Sequence, residues 1–313
     1  MIVTFYADHS YYSQLSNNGG SATILHSINT LRKLGHKANV VAHKDNFTWF
    51  KHPKPIRKIP KDTDVCIAVT ISDIGPMLKR TKAKPFYWCR LIENHQMPKR
   101  KLLKTVSKVT VLVNSENLRD WFAAHGIGTQ IVYQGVDIEK WRDLYMNTSK
   151  VIGFLCSSKT RKNFDFAMKI VKRLGNEYKY VGYGADLNKR IKLFVYKKFT
   201  NFVKNAGYAE LIKLYNVTDI WVATSTKEGL HNCPLEAALC GCAVVYPDAP
   251  LAGCSDHCID GKTAWKYEAL NVDSAVEVIK SVDSSRNEAH KDLIKSKIGT
   301  RKKCMKKLVE ILN

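Results

Sequence analysis

The chain is expected to be an α/β protein of two domains, each built on a parallel sheet, and three observations carry that expectation. Short apolar runs of strand composition alternate with amphipathic helical stretches joined by short connections. At 313 residues the chain is too long for one ordinary domain and fits two of about 150. Apolar residues make up 45% of it and no low-complexity tail is present, so well-buried cores follow. No apolar run approaches the roughly 18 residues that span a bilayer. The opening residues 1–6 lack the charged and apolar regions of a signal peptide. A soluble, intracellular protein is expected.

In chain order, residues 2–6 are the first strand. Residues 22–34 form a helix on Ile24, Leu25, Ile28 and Leu31, stopped by Gly35. Between them Gly19-Gly20-Ser21 brings a flexible backbone to a helix amino terminus, a ready anion site. Strands follow at 38–42, 65–69, 86–89 and 109–113, while 44–61, with prolines at 53, 55 and 60, reads as a loop. Asn114-Ser115 caps a helix over 116–125, and a linker is placed around 135–150. The second domain opens with a strand over 151–155, a basic loop holding Lys159, Arg161 and Lys162, and a helix through Leu174. Cations at a helix amino terminus are misplaced unless an anion is shared there, so a diphosphate is the economical ligand. Residues 210–215 read as a helix, and 287–312 carries helical spacing to the end.

Net charge is +22. The first 150 residues hold 23 Lys+Arg and 11 Asp+Glu, the remainder 27 and 17, so both halves are basic. Within 79–108 ten basic residues, among them Lys99, Arg100 and Lys101, face one acid, Glu93. A second cluster, Lys189, Arg190, Lys192, Lys197, Lys198 and Lys204, is interleaved with Phe194, Tyr196, Phe199 and Phe202. Such mixtures bind nucleic acid through phosphates and base stacking, but here aromatics on a buried helix face with lysines on the wet face is the preferred reading. Nine cysteines, an odd number, fit a reducing compartment. Cys240, Cys242, Cys254 and Cys258, beside His257, lack a standard zinc spacing and fall where small residues pack a helix on a sheet. No metal is expected.

The stretch 224–238 organises the second domain. A buried strand over 219–223 leads into a loop with Glu228, and a helix holding Glu236 follows, ended by Gly241. Two carboxylates thus flank a strand-to-helix connection, where open α/β sheets bind ligands. Spacing alone equally allows a solvated Glu228 and a Glu236 that favours the positive end of its helix.

Residues 215–264 resemble the retaining glycosyltransferases of family four, which have the GT-B fold of two Rossmann-like domains facing each other across a cleft. Ser225, Glu228, Gly229, Leu235, Glu236, Ala237, Gly241, Val244 and Val245 stand in that family's pattern S-x-x-E-G-x-x-x-x-x-L-E-A-x-x-x-G-x-x-V-V. The resemblance continues in patches: Asn114-Ser115, Gly135-Val136-Asp137, Gly182-Tyr183-Gly184 and the loops 253–257 and 260–264. It implies an acceptor domain over 1–140, a nucleotide-sugar domain over 141–285 and a final helix over 286–313 that returns to the first domain. Lys162 matches the family's phosphate-binding Lys, but the Arg six residues before it is Cys156 here, leaving Lys159 or Arg161 to take its place.

The resemblance further implies donor contacts from Gly19, Gly20, Lys159, Arg161, Gly229, Leu230, His231, Asn232, Leu235 and Glu236. Glu236 would take the ribose hydroxyls and Glu228 the donor sugar. Lys162, with backbone N–H groups of residues 229–232, would hold the leaving phosphate. Arg90 and Glu93, just past a strand end, would touch acceptor or donor sugar, and His95, Lys99, Arg100 and Lys101 the acceptor. The resemblance implies a UDP-, GDP- or ADP-sugar as donor, no required cofactor, and retention as the outcome. With the positive charge, the acceptor is expected to be a polyanion, foremost nucleic acid carrying a modified base, as for a phage-type DNA-modifying glycosyltransferase in the host cytoplasm. An anionic membrane bearing lipid-linked or surface-polysaccharide acceptors is the second expectation, and a non-catalytic binding protein the third.

Overall fold

The computed structural model describes residues 1–93, 97–283 and 285–313, with Tyr11 described by its backbone alone. They divide into two compact units, one of residues 1–136 with 299–313, the other of residues 137–298. The chain therefore changes unit at Val136 and again at Ile298, where the sequence reading puts the changes near 140 and 286.

In the first unit six parallel strands lie in the order Lys37–Val41, Ile2–Tyr6, Val65–Ala68, Lys84–Cys89, Thr110–Val113 and Thr129–Ile131. The order reverses between Ile2–Tyr6 and Val65–Ala68, and the connections after those two strands sit at the carboxyl edge where such sheets bind ligands. The helix Gly19–Lys33 starts three residues earlier than its apolar spacing announces, because the Asn18 side chain caps it by accepting from Ser21 N at 2.9 Å. The loop expected over 44–61 instead opens with a short strand, Lys44–Asn46, paired in parallel with Gln14–Ser16. Its three side chains are exposed, so no apolar alternation marks it.

The helical spacing of 287–312 covers three pieces rather than one helix: Asn287–Leu293, a π-helical turn Ile294–Ile298, and Arg301–Leu312. Gly299 takes a left-handed φ of 74° between them, and Thr300 caps the last helix. Cys304, Met305, Leu308 and Leu312 of that helix join the first unit's core with Val3, Leu25 and Ile28, against the helix Gly19–Lys33.

The second unit repeats the architecture, with strands Asn201–Lys204, Lys179–Gly184, Val151–Leu155, Ile220–Val222, Ala243–Asp248 and Trp265–Glu268, all parallel. By sequence this is third, second, first, fourth, fifth, sixth, the Rossmann order, which reverses between Val151–Leu155 and Ile220–Val222. These two strands lie close because residue 153 is glycine: a Cβ there would stand 2.5 Å from the Trp221 ring. The helix Lys189–Lys198 departs from the amphipathic reading. Phe194, Phe199 and Phe202 pack on the core as expected, but Tyr196 is 59% exposed and Leu193 70% exposed, so two apolar side chains share the lysine face.

Among the described residues no helix is long and apolar enough to cross a membrane.

Candidate functional site

The two connections at the reversal point of the second sheet meet side chain to side chain. After Val151–Leu155 the chain makes a 3-10 turn, Thr160–Lys162, and Asn163 adopts a left-handed φ of 50° to enter the helix Phe164–Leu174. This turn is sewn to the end of the strand Ile220–Val222: Thr224 Oγ1 donates to the Lys162 carbonyl at 2.9 Å, and Thr226 N to the Arg161 carbonyl at 2.9 Å. The following loop places Glu228 Oε1 2.7 Å from Arg161 Nη1 and 2.5 Å from Lys162 Nζ.

Glu228 is held from behind as well. Its N–H donates to the Leu251 carbonyl at 2.7 Å, and His231 N donates to the Gly253 carbonyl at 2.9 Å. Gly253 has a φ of 74°, and a Cβ on it would stand 2.5 Å from the Gly229 carbonyl oxygen and 2.7 Å from Glu228 Cβ. Burial raises the Glu228 carboxyl, but the charges of Lys162, His231 and Arg161 outweigh it and lower it to about 2. His231 is buried, with Nε2 3.5 Å from Ser225 Oγ and Nδ1 3.6 Å from Cys254 Sγ.

Eight residues on from Glu228, Glu236 projects from the helix Asn232–Leu239 and receives a hydrogen bond from Tyr215 Oη at 3.4 Å. Tyr215 Oη in turn lies 2.9 Å from Tyr183 Oη, which donates to Cys233 Sγ at 3.0 Å. One carboxylate thus faces two cations and the other a tyrosine chain, beside one strand-to-helix connection. Chemically this is a place for an anionic group next to a polyhydroxylated one.

The sequence model of the family Glycosyl transferases group 1 matches residues 149–282, which contain this whole constellation. No curated protein matches the chain. Among solved structures, Anabaena Alr3699/HepE in complex with UDP-glucose superposes at a TM-score of 0.79 and 13% identity, covering 100% of this chain and 99% of its own. Sucrose-phosphate synthase from Thermosynechococcus elongatus gives 0.80 and 10%, covering 99% and 98%. AviGT4, a glycosyltransferase involved in avilamycin A biosynthesis, gives 0.68 and 14%, covering 100% and 97%. The fold is GT-B.

Within the GT-B frame several expected site residues come together and others do not. Arg161 and Lys162 share Glu228, whereas Lys159 pairs with Asp186 at 3.7 Å, both largely exposed. Of the two candidates for the family's missing Arg, Arg161 stands beside Lys162 and Lys159 does not. Cys156 is buried and its thiol is raised by burial, so it offers nothing to an anion. The side chains of Leu230 and Leu235 pack in the core, at 6% and 2% exposure. The backbone donors of residues 229–232 are not all open to a phosphate, since the His231 N–H is spent on Gly253.

In the first unit Gly20 and Arg90 are in contact. Arg90 Nη1 donates to the Gly20 carbonyl at 2.9 Å and its guanidinium lies 5.0 Å from the Tyr12 ring centre. A Cβ on Gly20 would meet the outer edge of the Tyr12 ring, so a larger residue there would need that ring to move. Glu93 is turned inward instead of toward a ligand: Oε2 accepts from Ile71 N at 2.6 Å and from Tyr87 Oη at 3.0 Å. Burial raises its carboxyl to about 7. His95 lies outside the described residues. Lys99, Arg100 and Lys101 occupy the exposed first turn of the helix Lys99–Val106. Not every one of the ten basic residues of 79–108 is open: Arg80 is paired with Asp8 at 2.7 Å and Lys84 Nζ donates to the Leu312 carbonyl.

Two groups escape a reading by motif. Tyr183 and Tyr215 reach Glu236 from separate elements, and only the glycines around Tyr183 flag that place. Asp8, at the carboxyl end of the first strand, gathers His43 at 2.7 Å, His9 at 3.5 Å and Arg80 from three segments. Its sequence signal, an Asp-His pair just past a first strand, is short and easily passed over.

Proposed function

We propose that the protein is a retaining glycosyltransferase whose second unit holds a nucleotide-sugar donor. The observation that carries the reading is the Glu228 carboxylate paired with Lys162 and Arg161 at the reversal point of a Rossmann-ordered sheet. In the absence of donor the carboxylate keeps the two cations in place. When the donor enters, Lys162 and Arg161 turn to its diphosphate, and Glu228 is released to accept hydrogen bonds from the sugar hydroxyls. Glu236, oriented by Tyr215, takes the ribose hydroxyls. The bond from the anomeric carbon to the diphosphate oxygen breaks, a bond to the acceptor oxygen forms on the same face, and the acceptor proton passes to the leaving phosphate. Fixed cations at the departing oxygen are worth most in the transition state, where its charge develops.

Support for UDP as the donor's nucleotide comes from HepE, whose solved complexes hold UDP and UDP-glucose. A melting-temperature screen against UDP-, GDP- and ADP-sugars tests this, since a ligand bound only by the folded state stabilises it by RT ln(1 + [L]/Kd). A rise with one nucleotide, lost in Lys162→Ala, is expected. No rise with any nucleotide sugar at millimolar concentration overturns the reading, and an inverted anomeric configuration in the product overturns retention.

For the acceptor, the +22 charge and the exposed Lys99, Arg100 and Lys101 support a polyanion, with nucleic acid as the first candidate. Binding should then fall linearly with log salt, with a slope near −0.9 per duplex phosphate neutralised. A second reading, an anionic membrane surface, is favoured by Leu193 and Tyr196 standing exposed among Lys189, Arg190, Lys192, Lys197 and Lys198. Vesicles containing phosphatidylserine separate the two. Sedimentation with them, lost in the Leu193→Ser/Tyr196→Ser variant and accompanied by no DNA retention at low salt, selects the membrane.

A further inference from the structure

Behind the loop that holds Glu228, three ligand-type side chains converge in the protein interior. His257 and Cys258 lie in the turn after the strand Ala243–Asp248, and His290 comes from the helix Asn287–Leu293. They are 0%, 3% and 1% exposed. His257 Nδ1 is 3.0 Å from His290 Nε2, Cys258 Sγ is 3.3 Å from His257 Nδ1, and Cys258 Sγ is 3.9 Å from His290 Nε2. Each of the three atoms contacts the other two.

We propose that His257, Cys258 and His290 bind a structural zinc ion that staples the 254–258 turn to the helix Asn287–Leu293. Zinc takes imidazole nitrogen at about 2.0–2.1 Å and thiolate sulfur at about 2.3 Å, and tetrahedral geometry then sets neighbouring donor atoms roughly 3.3–3.7 Å apart. The three observed separations bracket that range, so coordination needs shifts of a few tenths of an ångström. Two nitrogens and one sulfur form a borderline-soft set that suits zinc and not magnesium or calcium. Cys254 Sγ lies 3.6 Å from His231 Nδ1 and is not one of the three converging ligand atoms. Sequence spacing hides the site because His290 is 32 residues away from Cys258 and belongs to no cysteine cluster.

The staple has a place in the second unit's architecture. The segment it pins begins at the Leu251 and Gly253 carbonyls, which receive the N–H groups of Glu228 and His231. A bound ion therefore stiffens the support of the Glu228 loop without touching the pair of cations in front of it.

The test is metal content. Untagged protein, passed through gel filtration in metal-free buffer, is expected to carry about one zinc ion per chain by emission spectrometry. Cys258→Ser and His290→Ala should each lower this to about a tenth or less, while His290→Cys, which keeps a ligand, should retain it. Cobalt added to stripped protein should give the visible bands of a tetrahedral site and a near-ultraviolet sulfur charge-transfer band that Cys258→Ser abolishes. Should the variants fail to fold, the wild type alone decides. Protein that carries no zinc and gives no cobalt spectrum overturns the proposal, as does zinc retained undiminished by the Cys258→Ser/His290→Ala double variant.

Discussion

Two glutamates with little exposure, one in each unit, end up at opposite extremes. Glu228 is lowered to about 2 and Glu93 raised to about 7, although burial pushes both upward. The difference lies in what surrounds them. Glu228 faces two cations with 2.5 and 2.7 Å contacts. Glu93 faces a backbone amide and a tyrosine hydroxyl, and the charge of Arg90 only partly offsets its burial. A carboxylate with charged partners is kept ionised and ready to exchange them for a ligand. One with neutral donors becomes a brace between elements. Position past a strand end, which both share, does not separate these roles.

The largest effect is expected at the cations. Lys162→Ala should lower sugar transfer by about 10²-fold or more, because charge on the departing diphosphate loses a fixed partner. If steady-state assays show Lys162→Ala and the wild type alike, Glu228 is no more functional than Glu93 and the contrast collapses. Next comes the support behind Glu228. Gly253→Ala puts a methyl group against Glu228 Cβ at a φ of 74°, and transfer should fall by roughly 10–100-fold through misplacement of the carboxylate. The melting temperature should drop only moderately.

Paired glutamine variants sharpen the comparison through pH. The Glu228 carboxyl lies below its ordinary value of 4.5, so its ionised form contributes stability above about 4.5 that is lost as pH falls through about 2. Glu228→Gln should therefore be less stable than wild type at neutral pH, by about 1–3 kcal/mol, with the gap closing on acidification. Glu93 has the opposite sign. Its folded value is above 4.5, so stability present at low pH is lost as pH rises from about 4.5 through about 7. Glu93→Gln should match wild type near pH 4 and exceed it at pH 8 by about 1–3 kcal/mol. Denaturant midpoints across this range check both, and parallel curves for the two variants would remove the distinction. The smallest stability effect belongs to the exposed turn. Lys99→Glu/Arg100→Glu/Lys101→Glu should leave the melting temperature unchanged while DNA retention at low salt disappears.

Central strands were legible because they are nearly continuous apolar runs, as at Val65–Ala68 and Val151–Leu155. Thr129–Ile131, Asn201–Lys204 and Trp265–Glu268 were not, and all three are edge strands whose side chains are partly wet and mixed in character. Spacing alone put Glu228 and Glu236 on either side of a strand-to-helix connection, and the basic loop pointed to an anion. What spacing does not reveal is pairing across the sheet. That Arg161 and not Lys159 joins Lys162, and that Glu93 turns inward, depends on contacts between residues 67 and 22 positions apart. Convergence of His290 on Cys258 is hidden for the same reason.

The first unit is discontinuous, and synthesis gives this a temporal meaning. Residues 299–313 leave the ribosome only after the whole of 137–298, yet Met305 and Leu308 of the helix Arg301–Leu312 are fully buried against a core begun by Val3 and Leu25. The second unit has every strand of its sheet in hand before those residues exist as peptide, so it is able to mature first. Meanwhile the nascent first unit waits with an open apolar seam along the helix Gly19–Lys33, a surface for chaperones to guard or for neighbouring chains to stick to. The closing helix acts as a late clasp, and a chain cut short before it lacks Cys304, Met305, Leu308 and Leu312 from the first unit's core.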